Sequence, residues 1–246
     1  MKYTFDVAFL PCEALKKHDA RIVVDLLRAT TQITTFFDMG GEVLVPVTEV
    51  DEAFAMKEKL GEDWKIMGER GGLPAPGFDF GNSPLELQAA GAPEHAIITT
   101  SNGTRAIMRA VKDCAHVIAG CARNAEAAAW DALCAGPSVG IICAGRNGEF
   151  SLEDTICAGM LVEKLLALAP SNGAESMELT DGAMAAMSLW QSMGPDITAV
   201  CQASTHGKIL SGLGFDNDLF FCGEADASST VPVVKEISGV PAIVGR

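Results

Sequence analysis

Four short stretches of this sequence each place acids or hydroxyls beside an arginine, directly after an apolar β-type run. In Val23-Val24-Asp25-Leu26-Leu27-Arg28-Ala29-Thr30, a strand end presents Asp25, and Arg28 follows at the entry to a helix. A carboxylate there can hold a hard cation, and a guanidinium can fork onto phosphate oxygens. In Gly68-Glu69-Arg70-Gly71-Gly72, Glu69 and Arg70 repeat that pair. Gly71 and Gly72 let the backbone approach an anion and turn N–H groups toward it. In Thr99-Thr100-Ser101-Asn102-Gly103-Thr104-Arg105, an apolar run enters small hydroxyl residues and then a helix, whose free N–H groups make an anion site. In Ile142-Cys143-Ala144-Gly145-Arg146-Asn147-Gly148-Glu149-Phe150-Ser151-Leu152-Glu153-Asp154, a glycine loop with Arg146 precedes a helix that opens on two acids.

Each stretch also has a purely structural account. Asp25 can cap its helix and pair with Arg28. Ser101 or Asn102 can cap the helix at Gly103, and Asp154 can close a capping box with Ser151. The convergence outweighs any single stretch. The chain has only eight arginines, and Arg28, Arg70, Arg105 and Arg146 all lie at strand–helix junctions beside acids or glycines. Arginine suits planar, bidentate anion recognition, and carboxylates at the same junctions suit an oxygen-liganded cation rather than zinc. Two motif families are excluded. The third stretch lacks the Gly-Lys-Ser/Thr ending of a P-loop. Leu27 stands where a haloacid-dehalogenase phosphatase needs its second Asp.

These junctions require a scaffold of alternating strands and helices. β-Type runs are predicted at 5–10, 21–25, 43–47, 65–68, 96–99, 116–120, 138–144 and 218–222. Helical segments are predicted at 29–39, 50–60, 84–90, 103–111, 125–134, 152–168 and 178–192, with shorter ones at 196–203 and 207–213. The expected fold is α/β and three-layer, a mainly parallel or mixed sheet flanked by helices, with a more helical C-terminal part. In such sheets ligands bind beyond the carboxyl ends of the strands, where all four stretches fall. A single domain is expected. The polar connection at 169–178 is a candidate hinge between two lobes. Met184, Met187 and Met193 are expected to pack a core.

Composition narrows the partners. The chain has 246 residues, is 48% hydrophobic and carries a formal net charge of -14. That field repels nucleic acid and anionic membranes. No apolar run approaches the roughly 20 residues of a membrane helix. The eight cysteines form no C-x-x-C pair, which argues against zinc ribbons and thioredoxin-like redox motifs. Residues 1–10 read as a strand and not as a signal peptide, so a reducing cytoplasm is expected. A homodimer is the base-rate expectation.

Taken in order, Asp25-Leu26-Leu27-Arg28-Ala29-Thr30, Gly68-Glu69-Arg70-Gly71-Gly72, Gly77-Phe78-Asp79-Phe80-Gly81-Asn82-Ser83-Pro84, Ser101-Asn102-Gly103-Thr104 and Phe150-Ser151-Leu152-Glu153-Asp154 resemble the 2-phosphosulfolactate phosphatase family across about residues 5–235. The C-terminal Ser204-Thr205-His206-Gly207-Lys208 and Val231-Pro232 share in that resemblance. It implies a Mg²⁺-dependent hydrolysis of 2-phospho-3-sulfolactate to 3-sulfolactate and phosphate, a step toward coenzyme M. The residues suggest their own roles within that reaction. Asp25, Glu69 and Glu153 or Asp154 would hold Mg²⁺. Arg28 and Arg70, with Gly71, Gly72 and the amides of 101–104, would hold the phosphate. Arg146 or Arg105 would take the sulfonate or carboxylate, and His206 is a candidate proton donor. The alternatives are a phosphatase for another small 2-phospho-hydroxy acid, or a non-catalytic protein that binds an anionic metabolite.

Overall fold

The computed structural model describes residues 1–12 and 16–246. Among them, ten strands form one sheet: β1 (Lys2–Ala8), β2 (Ala20–Val24), β3 (Val43–Pro46), β4 (Lys65–Gly68), β5 (His95–Thr99), β6 (Val117–Gly120), β7 (Ser138–Cys143), β8 (Ser176–Leu179), β9 (Val233–Ile237) and β10 (Val240–Val244). Their spatial order is β4-β5-β3-β10-β9-β6-β2-β7-β1-β8. Two parallel blocks, β4-β5-β3 and β6-β2-β7-β1-β8, are joined by the antiparallel β9–β10 hairpin. The hairpin turns on Ser238 and Gly239, with φ 52° and 79°. Two positive φ values in a two-residue loop match the right-handed twist of the flanking strands. The sheet is therefore mixed, with the antiparallel pair at its centre.

Ten helices accompany the described strands: α1 (Ala29–Asp38), α2 (Val50–Leu60), α3 (Pro84–Ala90), α4 (Gly103–Ala110), α5 (Ala125–Ala135), α6 (Leu152–Leu168), α7 (Asp181–Met193), α8 (Ile197–Ala203), α9 (Thr205–Gly212) and α10 (Asp216–Gly223). Strand residues alternate between the two faces of the sheet, as the period of two requires. Ile22 and Val24 of β2 pack with Ala128 of α5 and Leu161 of α6, whereas Val23 packs with Ile33 of α1 and Ile107 of α4. Apolar cores on both faces confirm the three-layer expectation. β2 is buried along its whole length, as a central parallel strand should be.

Helix boundaries follow local chemistry. Ser83 and Ser151 accept the amides of Glu86 and Asp154, the third residues of α3 and α6, and Pro84 is the first residue of α3. α1 buries five polar side chains (Thr30, Thr31, Gln32, Thr34 and Thr35). Thr34 and Thr35 donate to the carbonyls of Thr30 and Thr31, at 2.9 and 2.8 Å, which satisfies their hydroxyls inside the core.

The structure corrects three sequence expectations. Residues 218–222 lie in helix α10, not in a strand. Their burial puts Asp218, Leu219, Phe221 and Cys222 inward and Phe220 outward, a helical period that a five-residue apolar run cannot reveal. The helix expected from 178 starts at Asp181, because Ser176–Leu179 instead pairs in parallel with β1. Met184 and Met193 are exposed on α7, and only Met187 packs against the core. The cause is that α7 buries little more than Ala183 and Ala186. No described helix is long and apolar enough to cross a membrane.

Candidate active site

The carboxyl edge of the sheet carries the chemistry. β2 ends directly before Asp25, and Asp25 Oδ1 accepts the Ala29 amide at 3.1 Å, at the start of α1. The other side of the carboxylate meets α4. A side-chain carbon at Gly103 would stand 2.7 Å from Asp25 Oδ2 and 2.5 Å from Ala29 Cβ, so only glycine fits. The Gly103 amide also donates to Asp25. The β5–α4 junction thus reaches across the central hairpin and seats a helix start on the β2 carboxylate.

Glu69 follows β4 and is held just as firmly. Its Oε1 accepts the Ser101 amide at 2.7 Å, and its Oε2 accepts the Gly72 amide at 2.8 Å. Gly71 and Gly72 have φ of 65° and 87°, a conformation costly for side-chain-bearing residues, and this turns the Gly72 amide back onto Glu69. Asp25, Glu69, Asn82, Asn102 and His206 line one small inner cavity of about 10 Å³. Asn82 is buried, and among the described residues its Oδ1 has no hydrogen-bond partner. An orphaned oxygen beside two carboxylates is unusual in a folded protein.

A second, outer cavity of about 180 Å³ adjoins the first, and His206 lines both. Its walls are Arg146, Ser151, Glu153, Ser204 and Thr205. Glu153 is buried and its Oε1 lies 3.7 Å from His206 Nδ1.

The electrostatics fit this geometry. Burial, together with the charges of Glu69 and Glu153, pushes Asp25 up to about 7. Burial also raises the carboxyl of Glu153. Burial, with Asp25 and Glu153 nearby, raises Asp154 well above the usual carboxylate range. Burial and the Arg146 charge lower His206 to about 4, so its imidazole is neutral at pH 7. Buried acids with too few cations around them are the arrangement expected of a functional site.

The sequence-predicted residues separate into groups. Asp25, Arg28, Glu69, Gly72 and Asn102 meet at the inner cavity, and Arg146 and Glu153 at the outer one. Ser101 and Gly103 contribute amides to Glu69 and Asp25, and Thr104 binds Thr100 reciprocally through amide and hydroxyl at 3.1 Å. Asp154 lines neither cavity. It accepts the Leu26 amide at 2.9 Å and the Gly145 amide at 3.1 Å, tying the ends of β2 and β7 together. Arg28 does not pair with Asp25. It donates to Asp218 at 2.5 Å and to the Gly72 carbonyl at 2.8 Å, and it stacks on Phe215. Arg70 donates to the Glu69 and Thr48 carbonyls and the Thr99 hydroxyl, bracing the β4 loop away from both cavities. Arg105 is exposed with Glu49, and Gly71 is exposed beside Arg70.

Sequence reasoning missed Asn82 and Asp218 as site components. Asn82 carries a readable signal: Asn82-Ser83-Pro84 holds two capping residues for one position, and Ser83 takes it, leaving Asn82 for another task. Asp218 accepts from both Arg28 and Ser83, so α10 clasps the loops beneath the cavity. That link spans 190 residues of sequence and has no local signal.

An α/β sheet with glycine-shaped loops, buried carboxylates and arginines around paired cavities at its carboxyl edge is the arrangement of an enzyme built to handle a small anion. Comparison with known proteins specifies which. The profile of the 2-phosphosulpholactate phosphatase family matches residues 9–237, and the chain belongs to that family of phosphoric monoester hydrolases. Relatives that bear the name "Probable 2-phosphosulfolactate phosphatase" include those of Pseudothermotoga lettingae (38% identical, 94% of this chain and 96% of the relative), Deinococcus radiodurans (36%, 91% of each) and Thermus thermophilus (36%, 100% of each).

Proposed function

We propose that this protein is a Mg²⁺-dependent phosphatase that hydrolyses 2-phospho-3-sulfolactate to 3-sulfolactate and phosphate in the cytoplasm, within coenzyme M synthesis. The observation that carries this reading is the inner cavity, which Asp25 and Glu69 line together with Asn82, whose Oδ1 lacks a hydrogen-bond partner among the described residues. Three hard oxygen donors suit Mg²⁺, which takes one or two carboxylates and completes its shell with water and phosphate oxygens. Asp25, Glu69 and Asn82 would hold the ion. When bound, it would polarise the phosphoryl oxygens and offset charge in the transition state.

The chain's own groups do the rest. The amides of Ala29 and Gly103 fix the Asp25 carboxylate, and those of Ser101 and Gly72 fix Glu69, so neither must reorient during reaction. Arg28, anchored by Asp218, holds positive charge at the cavity wall. Two routes use Asp25: attack by its carboxylate on phosphorus, or attack by a water that it orients. Under single turnover in ¹⁸O water, label entering Asp25 and not the phosphate excludes direct attack by water, and chemical trapping of an acyl phosphate on Asp25 identifies the first route when the label enters phosphate.

The test of the reading is phosphate release from 2-phospho-3-sulfolactate and from other 2-phospho-hydroxy acids, with Mg²⁺ and with chelator. Release that requires Mg²⁺ supports it. Tight binding of these esters without release would favour a metabolite-binding protein instead.

A further inference from the structure

The second cavity has a chemistry distinct from the first. Its walls come from two helix starts, α6 at Ser151 and α9 at Ser204, and from Arg146 in the loop after β7. The two cap hydroxyls already accept from Asp154 and Gly207, three residues further on. The amides of Thr205 and His206 come earlier in the first turn of α9 and have no helical acceptor. Arg146 differs from the other junction arginines. Among the described residues its guanidinium makes no hydrogen bond or ion pair, whereas Arg28, Arg70 and Arg105 are each engaged.

Resting on the phosphatase reading, we propose that the outer cavity is the subsite for the substrate's sulfonate and that Arg146 is the residue that selects for it. A sulfonate presents three equivalent oxygens. The Arg146 fork and the α9 amides of Thr205 and His206 offer donors to match, as neither an isolated lysine nor a flat pair of donors would. His206 belongs to both cavities, so phosphate and sulfonate on adjacent carbons of one small molecule can occupy them together. Glu153 is the one formally negative side chain on this wall. Arg146 therefore offsets that charge, and without it an entering anion would meet an unbalanced carboxylate. In a chain of net charge -14, this local neutralisation favours entry of a substrate with several negative groups.

The test compares wild type, Arg146→Ala and Arg146→Lys on 2-phospho-3-sulfolactate and on 2-phospholactate, which lacks the sulfonate. In parallel, calorimetry follows binding of 3-sulfolactate and of lactate. Loss of a charge-assisted contact corresponds to about 10- to 100-fold. In Arg146→Ala the ratio of kcat/KM for the sulfonated over the unsulfonated ester should fall by that factor, mainly through KM. Arg146→Lys should recover part of it, and 3-sulfolactate binding should weaken in step. Equal losses on both esters, or none on either, would overturn the assignment. If wild type hydrolyses neither ester yet binds 3-sulfolactate through Arg146, the subsite stands and the phosphatase reading falls. If hydrolysis persists while Arg146 proves indifferent to the sulfonate, the reverse holds.

Discussion

Two groups of metal-type ligands stand at opposite ends of the sheet, and they differ instructively. At the amino ends of β3 and β5, ligand atoms of Glu42, Glu94 and His95 lie within 4.8 Å of one another, and Trp64 stacks on His95 at 5.0 Å. Both glutamates are exposed to solvent. At the carboxyl ends, Asp25, Glu69 and Glu153 are buried, and the first two are locked by amides, yet no three of these ligand atoms come so close. Water screens the first group, so its carboxylates can sit together at little cost. In the second group, burial shifts the carboxyls of Asp25 and Glu153 upward. A site is marked by desolvation and fixed donors rather than by proximity alone.

The difference can be broken or sharpened by substitution. Asp25→Asn should lower phosphate release by about 1,000-fold or more, as expected when a group at the reacting centre is lost. Glu94→Gln should leave turnover unchanged, and steady-state assays compare the two directly. Glu69→Gln should cost about 10- to 100-fold and raise the Mg²⁺ concentration needed for half-maximal rate. A Glu69→Gln enzyme with wild-type Mg²⁺ dependence would move Glu69 from metal holder to loop strut.

The pH dependence of stability gives a further contrast. Asp25 has its folded value raised from 3.8 to about 7. It therefore contributes stability that is complete below about 4 and is lost as pH rises through 7. His206 has the opposite sign: lowered to about 4 from 6.5, it contributes stability above 6.5 that is lost as pH falls through 4. The two oppose each other between those limits, and the raised Glu153 and Asp154 add to the Asp25 arm. Without metal, thermal melts should show the midpoint falling from mildly acidic to neutral pH. Asp25→Asn should flatten that slope. Glu42→Gln should not alter it. The smallest effect is expected at Arg105→Ala, about twofold or less in turnover, because an exposed pair with Glu49 contributes little.

Much of the architecture was legible because it is local. The spacing that predicted helices at 50–60, 84–90 and 152–168 matched α2, α3 and α6, since N-terminal caps open all three, Gly61 and Gly91 end the first two, and Pro170 follows the end of the third. β8 was not legible, because Ser-Met-Glu-Leu is an exposed edge strand with no alternation. β9 and β10 carry an apolar run either side of Ser238-Gly239, a hairpin signal that was present and went unread. At the site, Asp25, Glu69 and Arg146 stand out by type and junction. Arg28 and Arg70 look the same in sequence, but their partners are Asp218, Thr48 and Thr99, set by tertiary packing. An arginine's availability depends on what it already binds, and sequence does not show this.

The most direct test is magnesium binding, followed by calorimetry in wild type, Asp25→Asn and Glu94→Gln. The account predicts one site per chain that is lost or weakened at least tenfold in Asp25→Asn and is intact in Glu94→Gln. Magnesium affinity that survives in Asp25→Asn and disappears in Glu94→Gln would contradict it.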